Sequence, residues 1–300
     1  MASMISGIPV PASFPPPSMS VIHLAIAELT IYALFLPPML WITWKHGKAG
    51  LMTWQIFVSF LIIRYIADIS QIVDRKKPNL PNAVSVITNS GSIATLILTL
   101  IGIIFEANVI LPSKPRRWTE RAILVVSHIV TGVTIGIATA GGAPDPKKTG
   151  LPMNPTLEKV GFVSLLVVLL SLFPWAYYTR LRIKGSEPHP NCHAAMSMLW
   201  AAVIGIPFEL VRVLYGMTYA FDHKILALDP IMGTFLTKFE LIFLPELGVA
   251  VCVLAGGWLG MRHKAKAEGL VIDHGTNASR DNEVWDHKMG EAIGVATSVA

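Results

Sequence analysis

An all-α fold of seven transmembrane helices, N-terminus out and C-terminus in, is what this sequence predicts, and three observations predict it. Hydrophobic residues make up 53% of the 300 and charged residues only 14%, against about 25% charged in soluble domains; the mean hydropathy is +0.56. Seven apolar stretches fill the chain, each long enough for the roughly 20 residues a helical crossing needs. Between them Lys and Arg gather in short clusters, as topology arranges charge. Seven spans with short connections exclude a soluble multidomain enzyme. The net charge of +5 therefore reflects membrane topology, and no nucleic-acid partner is expected.

The chain divides into a flexible tail over 1–19, a transmembrane domain over 20–260 and a polar cytoplasmic tail over 261–300. Residues Met1 to Pro17 hold five prolines and no charge, so they lack the basic region that opens a signal peptide. The first apolar run is therefore retained as a helix. The spans run from about Ser20 to Thr43, Leu51 to Val73, Ala83 to Leu111, Arg121 to Ala140, Glu158 to Thr179, Ala194 to Phe221 and Thr234 to Gly260. None alternates with period two, and unpaired backbone groups are costly in hydrocarbon, so each is a helix. Loops are expected at Lys45-His46-Gly47-Lys48, at Asp74 to Pro78, at Pro112 to Arg117 and at the Gly- and Pro-rich Gly141 to Pro155.

Orientation follows from the Lys and Arg count. With the N-terminus outside, the cytoplasmic loops hold twelve, from Lys45 and Lys48 to Arg262, Lys264 and Lys266, and the opposite loops hold seven. Kinks are expected at Pro37-Pro38, Pro174, Pro207 and Pro245, where an amide is missing and the carbonyl four residues earlier is displaced. Gly132 and Gly136, and Gly256 and Gly260, have the spacing that lets helices approach closely, and packing inside the bundle is the expected use. Trp41, Trp44, Trp54, Trp118 and Trp258 are placed as interfacial anchors.

An ionisable side chain at membrane depth costs roughly 2.5 to 3.5 kcal/mol on insertion scales, so Glu28, Arg64, Asp68, Glu106, His128, Glu209, Arg212, Lys238, Glu240 and Glu246 each need an explanation. A rise of about 1.5 Å per residue puts Glu28 roughly 12 Å below the outer end of the first span. Arg64 and Asp68, Glu209 and Arg212, and Lys238 and Glu240 fall in the outer part of theirs, with Glu246 near the midplane. Arg64 and Asp68 are spaced i,i+4, and Glu209 and Arg212 i,i+3, so each pair shares a helix face and is expected to neutralise itself in part. Two readings stay open: buried pairs that fix helix register, or a water-accessible polar cavity, toward which the excess of acids tilts. Glu246 follows Pro245, and Glu209 lies two residues after Pro207, as in helices broken around a midplane site. Asn89, Ser90, Ser92 and Thr95 are expected to bond mainly to their own helix. His128 is read as a hydrogen-bonded packing residue, and Glu106 and Asn108 as reaching headgroups. Cys192 and Cys252 suggest neither a disulfide framework nor a metal site. No HExxH, GxSxG or P-loop motif occurs.

Ala27-Glu28 with Tyr32, His46-Gly47, Arg64, Ile206-Pro207-Phe208 continuing to Val211-Arg212 and Tyr215, and Glu246 resemble a fungal seven-helix integral membrane family of unknown function. The resemblance covers about Ser20 to Gly260 and implies fold and membrane location more than activity. In topology the chain is also similar to fungal lipid-translocating exporters. The expectation is a multi-pass protein, of plasma membrane or endomembrane, that binds or translocates a small amphipathic molecule or lipid in an outward-opening cavity. Glu28, Arg64, Asp68, Glu209, Arg212 and Glu246 are its expected ligand-binding residues. Membrane lipids are the expected partners, and no cofactor or metal is expected. Two alternatives remain: an intramembrane enzyme, such as a terpene cyclase protonating its substrate with Glu246 or Glu28, and a receptor-like sensor. The receptor reading is weakened by the missing extracellular cysteine pair and by the end of the third span, Phe105-Glu106-Ala107-Asn108.

Overall fold

The computed structural model describes residues 4–5, 8–9, 16–77, 81–111, 117–144, 152–186 and 189–263. Among the described residues seven helices are long and apolar enough to cross a membrane: α1 (Met19–Gly47), α2 (Thr53–Val73), α3 (Ala83–Val109), α4 (Trp118–Gly142), α5 (Pro155–Lys184), α6 (Cys192–Phe221) and α7 (Phe235–His263). A two-residue strand pair, Met4–Ile5 with Ile8–Pro9, precedes them. The tail from 264 to 300 lies outside the described residues.

The helix starts are written in the sequence. Ser18 caps α1 by accepting from the Val21 amide. Asn82 and Ser85 form a reciprocal capping box on α3. Asn154 accepts from Thr156 and Leu157 ahead of α5, whose first residue is proline, and Thr234 caps α7. Each cap satisfies amides that the first turn leaves without a partner. All four caps lie on the face that holds the N-terminus of α1, here called the near face; the far face carries the α1–α2 turn and the end of α7.

α3 is the central helix, with 78% of its most apolar window buried against 22–50% for the other six. Close approaches hold the others around and beside it. A side chain at Gly161 would collide with Ala138, one at Gly216 with Phe162, and one at Gly256 with Ala201. Gly256 and Gly260 thus pack α7 on α6, as their spacing predicts. Gly132 and Gly136 do not follow that expectation. A Cβ there would meet nothing within 4 Å, because this stripe of α4 faces away from the bundle.

Two further departures from the sequence reading lie at the far face. The Lys45–Lys48 loop is absent: α1 stays helical through His46, and the chain reverses at Gly47, whose φ of +64° favours glycine. Trp54 is no interfacial anchor, since its ring is fully buried 4.6 Å from that of His46. Trp41, Trp44, Trp118 and Trp258 are exposed, as anchors should be. Proline leaves its clearest mark in α7. Pro245 offers no amide to the Leu241 carbonyl, and the helix widens over Phe239–Phe243 into one π turn in which the Leu244 amide donates to the Phe239 carbonyl.

Candidate functional site

Four helices bring their charges to one place in the near half of the bundle. Arg64 on α2 is ion-paired with Glu28 on α1, with Asp68 one turn on at 3.5 Å, and through Nε with Glu246 on α7 at 3.2 Å. Glu246 also accepts from Arg212 Nε on α6 at 3.2 Å and from the Ser92 hydroxyl on α3 at 2.9 Å. A second arm of Arg212 donates to the Asn89 side-chain carbonyl. Glu246 is thus the hub, its two oxygens joining one arginine on each side, and it is fully buried. Low surrounding polarity strengthens each of these contacts and makes any unpaired member costly.

Above this network lies a cavity of about 440 Å³, lined by α1, α2, the start of α3, Pro230 and Ile231 of the α6–α7 connection, and Lys238 and Ile242 of α7. Glu28, Arg64 and Asp68 stand on its wall, as do the apolar Val21, Leu24 and Ala25. Asp74 and Lys77 at its rim pair with each other at 2.7 Å. The volume falls in the range of small-molecule sites, about 300 to 1,000 Å³.

The six residues expected to bind ligand therefore separate. Glu28, Arg64 and Asp68 reach the cavity, whereas Arg212 and Glu246 support it from behind and Glu209 does neither. The i,i+3 pairing of Glu209 with Arg212 is not formed. Arg212 turns to α7 and α3, and among the described residues neither oxygen of the fully buried Glu209 has a hydrogen-bond partner. Shared helix face is a weaker constraint than the chance of a carboxylate bridging two guanidinium groups. Ser90, Ser92 and Thr95 bond back to their own helix, as expected; Ser92 also contacts Glu246 and Ser90 accepts from Thr139, while Asn89 accepts from Arg212 on α6. Lys238, expected with the other charges in the outer part of its span, is buried and faces the cavity. The preceding sequence held one signal for it, an isolated cation one turn inside an apolar run.

A smaller cavity of about 60 Å³ adjoins this one, beside His223, Glu158, Tyr219 and Asp229. His223 contacts Glu158 at 2.8 Å and the Tyr219 hydroxyl donates to Asp229 at 2.5 Å. Asp229 also accepts the amides of Ile231 and Met232, fixing the α6–α7 connection.

The far half holds a different polar set. His46 Nδ1 lies 2.5 Å from Glu106, its Nε2 is 3.1 Å from the Gly257 carbonyl, and Arg182 bonds Glu120 at 2.6 Å and Asn108 at 3.0 Å. Asn108 donates to Thr179. Glu106 and Asn108 thus do not reach headgroups; each is 2% exposed and tied to another helix. His128 is half-buried, its Nδ1 2.8 Å from the carbonyl of Leu124 on its own helix. Among the described residues no group of three His, Cys, Asp or Glu side chains is placed to hold a metal ion.

Fold and site together define a multi-pass seven-helix membrane protein with a charged cavity in one half of the bundle. The sequence matches the family described as Domain of unknown function (DUF7702) over residues 21–263, and the chain belongs to that family. No curated protein and no solved structure matches it.

Proposed function

We propose that the near-face cavity binds a small amphipathic molecule or lipid, for retention or for translocation across the membrane. One observation carries the reading: a 440 Å³ space beside the bundle core whose lining combines apolar side chains of α1 and α7 with the charged groups Glu28, Arg64, Asp68 and Lys238. Apolar walls with a few convergent polar groups are what such ligands select. Buried charges that served only to glue helices would be expected to close on one another, as in the far half. On the N-out orientation that the loop charges favour, the cavity opens outward. The fungal origin implied by the resemblance belongs to the same proposal. The enzyme reading has less support: its candidate acids, Glu28 and Glu246, are both ion-paired with arginine.

A short-chain phospholipid carrying a photoreactive tail tests the reading. The expected result is labelling of Val21, Leu24 or Ile242, lost in Ala67→Trp, which fills the cavity from α2. Labelling confined to outward positions such as Ile62 and Ile69, unchanged by Ala67→Trp, overturns it.

A further inference from the structure

The charges around the cavity are segregated. On the α1–α2 side Arg64 meets three carboxylates, those of Glu28, Asp68 and Glu246, and only Glu246 has a second guanidinium, that of Arg212. Three carboxyl groups thus share two guanidinium groups. Lys238 stands on α7, lines the same cavity, is 9% exposed, and has no hydrogen bond or ion pair to its ammonium among the described residues. Asp229 in the neighbouring connection is the carboxylate whose charge acts most on Lys238, but it makes no ion pair with it, its oxygens being held by Tyr219 and two backbone amides. The π turn starts at Phe239, directly after this lysine, and such turns gather at functional sites. An ammonium without an ion pair on one wall and carboxyl groups in excess of their guanidinium partners on the other are costly in a low-dielectric space unless something bridges them. A purely anionic ligand would satisfy Lys238 and worsen the acid side; a purely cationic one would do the reverse. A ligand with both charges relieves both walls and adds no net charge.

We infer that the ligand of this cavity carries a zwitterionic head group, its anionic end held by Lys238 and its cationic end by the carboxylates of Glu28 and Asp68. The inference rests on the reading of the cavity as an amphiphile site and narrows it to one chemistry. A phosphate or carboxylate suits the anionic end and an ammonium the cationic end; the apolar remainder lies along Val21, Leu24 and Ile242. A membrane phospholipid and a soluble zwitterion share this chemistry, and tail dependence separates them.

The test uses the full chain in dodecyl maltoside, a non-ionic detergent, and three probes with identical short tails: dihexanoyl phosphatidylethanolamine, dihexanoyl phosphatidylmethanol and a dihexanoyl trimethylammonium analogue. Glycerophosphoethanolamine serves as the head group without tails. The zwitterionic probe is expected to bind about tenfold more tightly than either singly charged probe, the scale of one charge-assisted hydrogen bond. Lys238→Met should bring it down to the cationic probe and leave that probe unchanged; Lys238→Arg should restore the preference. Asp68→Asn should weaken the zwitterionic and cationic probes and spare the anionic one. A thermal unfolding scan of each variant keeps loss of folding separate from loss of binding. Equal binding of the three tailed probes, or Lys238→Met weakening all of them alike, overturns the head-group inference and leaves the amphiphile reading standing. Absence of binding by any of the three overturns both. Tight binding of the tailless head group supports the zwitterion and overturns the amphiphile.

Discussion

The two halves of the bundle hold the same kinds of side chain and use them differently. In the far half, among the described residues, two buried acids each have a base: His46 faces Glu106, and Arg182 faces Glu120. Trp54, Ile42 and Gly257 close around the first pair, so its cost of burial is offset by contacts within the protein. In the near half Arg64 is shared by three acids, Glu246 by two bases, Glu209 has no partner, and a cavity separates the network from Lys238. Far-half polarity builds structure. Near-half polarity leaves charge unmatched beside open space, and that imbalance is the physical ground for placing function there.

The largest expected effect sets one half against the other. Arg64→Met removes the cation from three buried carboxylates, and stranding buried charge costs about 3 to 5 kcal/mol. Folded yield and melting temperature should fall sharply, and Glu28→Gln in the same chain should recover part of the loss. Arg182→Met in the far half strands a single acid, and its arginine is 15% exposed, so its loss should be clearly smaller. Equal losses would erase the distinction between a crowded network and matched pairs.

Next in size is the test of which acid Arg212 serves. A double-mutant cycle of Arg212→Met with Glu246→Gln should show coupling in the range of about 0.5 to 3 kcal/mol seen for residues in one network, and the cycle with Glu209→Gln should show coupling near zero. Coupling to Glu209 instead would restore the pairing that helix spacing alone suggests. This is also where the sequence was least legible. Seven apolar runs, their Asn, Ser and Thr caps and the outer position of the charges are local properties, so they could be read directly. The partners of Arg212, Asn89 and Ser92 depend on which helix faces which, a property of packing that no single stretch contains. Glu106 and Trp54 were misplaced for a related reason. Nearness to a span's end was read as exposure, yet the turn at Gly47 brings His46 inward, where it covers both residues. The separation of Glu28 and Asp68 from Glu246 was equally hidden, since depth along a helix does not reveal where a cavity stops.

Glycines sharpen the comparison at lower energy. Gly256 lets α7 lie against Ala201 near the far end and so helps keep that half closed. Gly256→Leu should overpack the contact and cost about 1 to 3 kcal/mol. Gly132→Leu projects away from the bundle and should stay within about 0.5 kcal/mol, apart from the gain in helix propensity that any residue brings over glycine. Melting temperatures of the two purified variants measure the difference. A loss at Gly132 as large as at Gly256 would mean that the outward stripe of α4 is covered.

The smallest effect, none on stability, concerns which half faces outward. In the N-out orientation the sequence assigns twelve Lys and Arg to the cytoplasmic connections and seven to the opposite ones, and cytoplasmic loops carry the excess. On that count the far face should be cytoplasmic and the cavity should open to the lumen or exterior. Asn277 of the Asn277-Ala278-Ser279 sequon lies outside the described residues and follows α7, so it should stay on the cytoplasmic side and receive no glycan in a eukaryotic host. A sequon inserted between residues 145 and 151, in the connection whose described ends Pro144 and Pro152 lie on the near face, should be glycosylated, the shift in mobility disappearing on treatment with a glycosidase. Placing the two reporters on opposite faces makes the result decisive, because a single unmodified site is silent about topology while a reversed pattern is not. Glycan on Asn277 with none on the inserted site would turn the molecule over. The charge network would be untouched by that result, but the cavity would then draw its ligand from the cytoplasmic leaflet.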